Sequence, residues 1–319
     1  MKIFRDLDAF GPLPSPHVAI GNFDGVHLGH QRLLRTVIEK ARAGGGTPVA
    51  MTFDPHPLTI LSPAGRPPLI TPLAEKLRLI EAIGVEVLLL VPFTREFSAV
   101  TAEGFVGEIL GSRVGAKHVY VGTNFHFGRG GRGDLDLLRI EGKRHGITVE
   151  KVEVILFDDR PVSSTRIRNN ILKGCMDRVT EMLGREYALD GRGVEGRHRG
   201  KDLGFSTANL TTESELIPRD GVYVTRAEVE GLAHPSVTNV GVRPTFGEKE
   251  RVIETHILDY RGDPLYGREV RLGFCARQRD ECKFDGIEAL REQIARDVSA
   301  ARAWFRDHPR RQPERLPAP

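Results

Sequence analysis

Strand-like and helix-like stretches alternate along the first half of the chain, and this alternation restricts the fold more than any other feature. The apolar runs 17–20, 48–53, 85–92, 118–122 and 148–155 read as strands. The stretches 30–43, 72–83, 102–110 and 134–144 between them read as helices. Repeated βαβ units require a parallel sheet covered by helices on both faces. Two more helices, 164–173 and 177–184, close this half. Near Tyr187 the pattern changes. The runs 221–229, 235–240, 252–258 and 269–276 follow one another as strands, which predicts an antiparallel sheet or small barrel. A helix over 284–305 follows, with Ile287, Leu290, Ile294, Val298 and Trp304 as its expected buried stripe.

A length of 319 residues suits about two domains. They are expected at 1–184 and 185–306, with a proline-rich, charged tail, 307–319, expected to be disordered. The 46 Lys+Arg against 43 Asp+Glu leave a net charge of +3, too balanced for nonspecific nucleic-acid or membrane binding. No apolar run approaches the roughly 18 residues of a membrane span. The first residues lack the apolar core of a leader. Cys175, Cys275 and Cys282 make no CxxC pair, which excludes zinc ribbons and thioredoxin chemistry and fits ordinary thiols in the cytoplasm. No helix suggests a dimer seam, so a monomer or weak homo-oligomer is expected.

Three segments of the first half carry chemistry. The first, GNFDGVHLGH at 21–30, runs from a strand end through a glycine-rich turn into a helix. His27 and His30 are three apart and share a face of that helix start, where backbone N–H groups favour phosphate. A metal held by these two with His56, or simple helix-start hydrogen bonding, are the competing readings. The second, NFHFGRGGRGD at 124–134, contains Gly128, Gly130 and Gly133 in GxGxxG spacing with Glu153 further on. In a dinucleotide-binding unit that turn directly follows the first strand. Here it follows the fourth, after an intervening segment, so a surface turn competes with a phosphate contact. A second GxGxxG, at Gly191, Gly193 and Gly196, has no clear preceding strand and no following helix. The third segment, VSSTRIR at 162–168, joins helix-capping hydroxyls to Arg166 and Arg168, which suit phosphate.

Together with TFDPHP at 52–57, and in this order and spacing, these segments resemble the nucleotidyltransferase module of bacterial bifunctional riboflavin kinase/FAD synthetases. The resemblance implies a Rossmann-like α/β domain that joins FMN and ATP into FAD and pyrophosphate with Mg2+. It places His27, His30 and Asn124 around the ATP phosphates and the metal. It places Gly21, Phe23, Asp24, Gly25, Ser163, Ser164, Thr165 and Arg168 on the nucleotide.

The second half resembles the kinase module of the same family. GRHRGKDLGFSTANL at 196–210 looks like its glycine-rich segment, with Gly196 and Gly200 on ATP and Thr207 and Asn209 as oxygen ligands for Mg2+. It is not a Walker A loop. NVGVRPTFG at 239–247 implies flavin contacts from Asn239, Arg243 and Thr245, and EThxxD at 254–259 implies Glu254 as the base for the ribityl hydroxyl. Ser206 replaces the usual proline of PTAN, and Glu195 replaces a histidine often found after the module's first strand. The expected activity is phosphorylation of riboflavin to FMN, then adenylylation to FAD. Partners are the small-molecule substrates alone.

Overall fold

The apolar runs of the first half pair as strands because alternate residues on each can be buried on opposite faces. The structure, a computed structural model, describes residues 1–62, 65–194, 207–244 and 249–309. Strands β1 (Lys2–Phe4), β2 (Pro16–Ile20), β3 (Thr47–Asp54), β4 (Val87–Pro92), β5 (His118–Val121) and β6 (Thr148–Lys151) form one sheet in the order β1-β4-β3-β2-β5-β6. Every pairing in it is parallel. Val18, Ile20, Val49, Met51 and Leu89 point to one apolar layer, shared with Phe105, Val106, Leu110 and Leu138. Ala19, Ala50, Leu88 and Leu90 point to the other, shared with Leu33, Leu34, Val37 and Ile80. This double burial is why the strands read as nearly continuous apolar runs.

Helices α1 (Leu28–Ala43), α2 (Pro57–Leu61), α3 (Leu73–Ile83), α4 (Arg95–Ser98), α5 (Ala102–Gly104) and α6 (Leu135–Arg144) link the strands. α5 runs on as a π-helical segment, Phe105–Arg113, where an ordinary helix was expected. Succession along the chain runs from β2 through β3 to β4 on one side, then returns to β5 on the other side of β2. The β2/β5 boundary is therefore the topological switch point, whose carboxyl edge is the ligand crevice of open α/β sheets. The strand expected over 148–155 stops at Lys151, and the chain continues into a hairpin of β7 (Leu156–Phe157) and β8 (Arg160–Pro161). Its turn residues Asp158 and Asp159 both have positive φ, 47° and 54°, as a tight two-residue hairpin turn requires.

Beyond α7 (Ser164–Lys173) and α8 (Met176–Leu183), six strands close into an antiparallel barrel. They are β9 (Tyr187–Val194), β10 (Thr207–Thr212), β11 (Gly221–Val229), β12 (Leu232–Pro244), β13 (Lys249–Ile257) and β14 (Glu269–Arg279), in the order β10-β13-β12-β11-β14-β9. The chain divides by contacts into two compact units, Met1–Ser164 and Thr165–Pro319, so α7 is cut at its first residue and α8 is grouped with the barrel.

One face of the barrel wall, Val222, Val224, Val237, Leu258 and Cys275, is covered by Ala301, Val298, Trp304 and Phe305 of α9 (Ile287–Asp307). The helix stripe differs from expectation at its start. Ile287 is 69% exposed, whereas Asp297 is buried and held by a fork of bonds from Arg279, Nε–Oδ1 2.9 Å and Nη2–Oδ2 2.7 Å. Hydrophobic periodicity cannot reveal a buried carboxylate whose partner comes from a distant strand.

The alternate residues of β11, β12 and β13 place four hydroxyls in the barrel interior. Thr225 bonds Ser236 at 2.8 Å and Thr238 at 2.7 Å, and Thr238 donates to Thr255 at 2.9 Å, all four residues being fully buried. We expect Thr238→Val to cost roughly 1–3 kcal/mol, because it strands buried partners. Thr238→Val with Thr255→Val should recover part of that loss, since both ends of one bond are then apolar. Urea unfolding of the two variants checks this.

Candidate active sites

The turn after β2 is built on backbone conformations that side chains rarely adopt. Phe23, Gly25 and Val26 have φ of 49°, 84° and 38°, so two non-glycine residues are held in the left-handed region. Such strain persists only where the surroundings enforce it. Asp24 does much of the enforcing. Its buried carboxylate accepts from the backbone N–H of Ile70 at 2.9 Å and Thr71 at 3.3 Å, and Thr71 Oγ1 accepts from Gly25 N at 3.2 Å. The Ser164 hydroxyl donates to the Asp24 carbonyl at 2.9 Å, which binds the start of VSSTRIR to this turn. At Gly21, a side chain would meet the Phe23 ring at 2.9 Å.

The turn delivers His27 as the N-cap of α1, and Nδ1 of His27 accepts the backbone N–H of His30 at 3.3 Å. That acceptor role places the proton of a neutral His27 ring on Nε2. The two imidazoles stack, with centroids 3.6 Å apart and planes 16° off parallel, and Phe23 meets His30 edge-on at 5.4 Å. Gly29 permits the stack, because a Cβ there would press on the His27 ring at 3.2 Å. Two cationic rings cannot lie face to face at this distance. Burial, then His27 and then Lys76, holds His30 well below the usual imidazole pKa. His30 Nδ1 is buried and, among the described residues, has no hydrogen-bond partner. The first turn of α1 carries no acidic residue, so the positive end of its dipole is left for an anion.

The alternative of a metal held by the paired histidines finds no third ligand among the described residues. His56 caps α2 through Leu58 N at 3.2 Å, and no group of three or more His, Cys, Asp or Glu among the described residues is arranged to hold a metal. The Gly128–Gly133 stretch is a closed loop. Phe127 and Gly133 exchange two backbone bonds of 3.0 and 2.9 Å. A side chain at Gly128 would collide with Ala102 N at 2.6 Å, and one at Gly133 with the Phe127 ring at 2.7 Å. Packing thus accounts for Gly128 and Gly133, the left-handed φ of 67° accounts for Gly130, and the dinucleotide reading loses its basis. Gly191 and Gly193 lie within β9, where a Cβ would meet Thr211 O at 2.8 Å and Leu265 O at 2.0 Å.

Asn124 follows β5 and is exposed, so it leaves the sheet beside the His27 turn at the switch point. Ser163 and Ser164 are half-buried; Thr165 is exposed and Arg168 buried on α7. Two features here escaped the sequence reading. One is Lys76, treated below. The other is an aromatic row at the carboxyl edge of β3–β5. It runs Phe53–Phe93–Phe97–Phe105–Phe127–Phe125, with successive ring centroids 5.7, 5.6, 6.3, 5.4 and 5.4 Å apart. A phenylalanine at or just beyond each of three strand ends was its visible signal.

The barrel brings a second constellation together by register. Asn209 on β10 pairs with Glu254 on β13, which pairs with Asn239 on β12. The three therefore lie in one row on one face. Thr207 pairs with His256 one step along that same face. Asn239 Nδ2 donates to Glu281 Oε1 at 3.0 Å. Gly241 makes room for that carboxylate, since a Cβ there would collide with Glu281 Oε1. Oδ1 of Asn209 is buried and has no partner among the described residues. Arg243 lies near the end of β12, in register with Glu250. Glu195, Gly196, Gly200, Ser206 and Thr245 lie outside the described residues, as does the tail from 310 onward.

Comparison with known proteins finds a match for each half of the chain. The family model for FAD synthetase matches residues 13–166, and that for riboflavin kinase matches 183–305. A bifunctional riboflavin kinase/FMN adenylyltransferase of Pseudomonas fluorescens is 36% identical over 95% of this chain and 97% of its own length. That of Escherichia coli K12 is 35% identical over 96% and 98%. A solved structure from Streptococcus pneumoniae, described as a macrolide-efflux protein, superposes with a TM-score of 0.86 at 32% identity, covering 95% of this chain and 98% of that one. Among the described residues, no helix of this chain is long and apolar enough to cross a membrane. With both modules matched and the identity sustained over nearly the whole length, the chain belongs to the bifunctional riboflavin kinase/FMN adenylyltransferase family.

Proposed function

We propose that this chain phosphorylates riboflavin to FMN on its barrel and adenylylates FMN to FAD at the carboxyl edge of its parallel sheet. The observation that carries this reading is the presence in one chain of two separate polar constellations, His27/His30 at the start of α1 and the row Asn209–Glu254–Asn239. In the adenylyl transfer, an FMN phosphate oxygen attacks the α-phosphorus of ATP, the bond to the bridging oxygen breaks, and pyrophosphate leaves. The His27 and His30 rings offer hydrogen-bond donors to the oxygens on which charge accumulates. The half-buried members of the aromatic row, Phe53, Phe93, Phe97 and Phe125, would give the flavin ring apolar contact.

In the kinase reaction the Glu254 carboxylate takes the proton of the ribityl hydroxyl as its oxygen attacks the γ-phosphorus, and ADP leaves. Asn239, the cross-strand neighbour of Glu254 and bonded to Glu281, lies where the flavin would bind. The oxygen set of Thr207 and Asn209 fits Mg2+, and the buried, unpartnered Oδ1 of Asn209 is the supporting observation. Mg2+ there would neutralise phosphate charge. We place the functional boundary near residue 184 and the protein in the cytoplasm as a monomer or weak oligomer.

The test is a time course. Full-length protein with riboflavin, ATP and Mg2+ is sampled and the flavins are separated by chromatography. FMN appearing before FAD is the expected result. Neither product forming would sink the reading, and FMN alone would remove its adenylyl-transfer half.

A further inference from the structure

Lys76, in the first turns of α3, is a lysine that the surface does not explain. It is 8% exposed, and its Nζ reaches the carboxyl edge of the sheet, 3.4 Å from the Asn22 carbonyl and 3.5 Å from Thr52 Oγ1. Asn22 belongs to the turn that carries His27, and Thr52, wholly buried, belongs to β3 and donates to the same Asn22 carbonyl at 3.2 Å. Both lysine contacts lie beyond the usual range of an N–H···O bond. Among the described residues, a buried ammonium with three donors is thus held without one short bond, an arrangement that costs free energy. Asp24 and Asp54 favour its charge, against the burial that lowers its pKa. Neither forms an ion pair with it among the described residues, and the Asp24 carboxylate accepts from Ile70 and Thr71. The amine also lies close enough to His30 to disfavour a second positive charge there.

A cation with donor capacity to spare, at the edge of a turn whose task is to receive phosphate, suits a phosphoryl oxygen, for which lysine acts as a point charge. We propose that Lys76 binds substrate in the adenylyl-transfer site, its ammonium taking a phosphoryl oxygen as the strong partner that the Asn22–Thr52 edge does not supply. This rests on the function proposed above. The oxygen comes from ATP or from the FMN phosphate, and the two sources separate kinetically.

The experiment uses full-length Lys76→Ala and Lys76→Met, assayed for FAD formation from FMN and ATP and for FMN formation from riboflavin. Folding is followed by thermal melting. We expect the KM for one phosphate-bearing substrate to rise, or kcat of adenylyl transfer to fall, by roughly 10- to 100-fold, as for loss of a charged hydrogen bond. FMN formation should not change. A raised KM for ATP assigns the oxygen to the nucleotide, and a raised KM for FMN assigns it to the flavin phosphate. Added ethylammonium should restore part of the activity of Lys76→Ala, which a purely structural role would not allow.

Unchanged adenylyl-transfer constants in either folded variant overturn the proposal. So does a lower melting temperature with lost activity that ethylammonium leaves unrestored. If neither variant folds, 15N-lysine spectra of the wild type decide: a lysine ammonium signal shifting on addition of ATP or FMN supports the contact, and its absence overturns it. A wild-type protein that makes no FAD would instead remove the functional reading, and Lys76's role with it.

Discussion

Glu254→Gln should abolish FMN formation while FMN adenylylation proceeds as before. The substitution keeps the size of the side chain, its place in β13 and its pairing row with Asn209 and Asn239. What it removes is the ability to accept a proton. A positioned general base is worth roughly 10²- to 10⁴-fold in rate, and the loss should fall in kcat with little change in KM for ATP. The neighbouring residues make a structural explanation unattractive. Ile253, Thr255 and Ile257 carry the burial on this strand, and Glu254 lies on the opposite face. Chromatography of flavins from two reactions, one started with riboflavin and one with FMN, reads both activities on the same sample. Undiminished FMN formation would remove Glu254 from the chemistry. Loss of both activities in a protein that melts normally would break the division of labour between the two constellations.

Part of that division could be read from the sequence because the His27/His30 turn and the Thr207–Asn209 pair are each local in sequence. Residues 21–30 announce a strand end, a turn that needs glycine and a helix start, and the structure builds those three things from them. Thr207 and Asn209, two apart on an extended segment, share a face for the same geometric reason. The row Asn209–Glu254–Asn239 is different in kind. It depends on the register of three strands, which no local pattern encodes, and only the family resemblance singled out its members.

What stayed hidden was long-range. β1 is three residues long and is a strand only by pairing with β4. β9 contains Gly191 and Gly193, which argue against a strand by propensity. They are there because Thr211 and Leu265 carbonyls approach too closely for a Cβ. Lys76 and Asp297 sit at positions where a charge predicts solvent, and each is buried by contacts from other elements. The GxGxxG at Gly128–Gly133 failed in the opposite direction: a local pattern suggested a phosphate loop, and packing against Ala102 and Phe127 selects Gly128 and Gly133, while a left-handed backbone selects Gly130.

His27→Ala and His30→Ala should produce the reverse phenotype of Glu254→Gln, with FAD formation lost by roughly 10²- to 10³-fold, the scale for removing one preorganised donor, and FMN formation intact. His27 carries two jobs, so Ala alone does not separate them. Its Nδ1 caps α1 and its ring stacks on His30. His27→Asn can restore the cap, worth about 1 kcal/mol, without restoring the Nε2 donor. We therefore expect His27→Asn to melt close to wild type and to remain inactive in adenylyl transfer. The pH dependence follows from His30. Its pKa is depressed, so the ring stays neutral through the range in which an exposed histidine, with a pKa of about 6.5, takes up its proton. The stability it contributes is present above that unfolded value and is lost as pH falls through the lower folded value, where the unfolded chain has bound the extra proton. Protonation would also set a cation against the His27 ring 3.6 Å away and open the stack. The acid limb of FAD formation should accordingly lie below that of an ordinary imidazole, and FMN formation in the same chain should not share it. An acid limb centred on the ordinary value, and common to both activities, would mean that His30 is not the group being titrated.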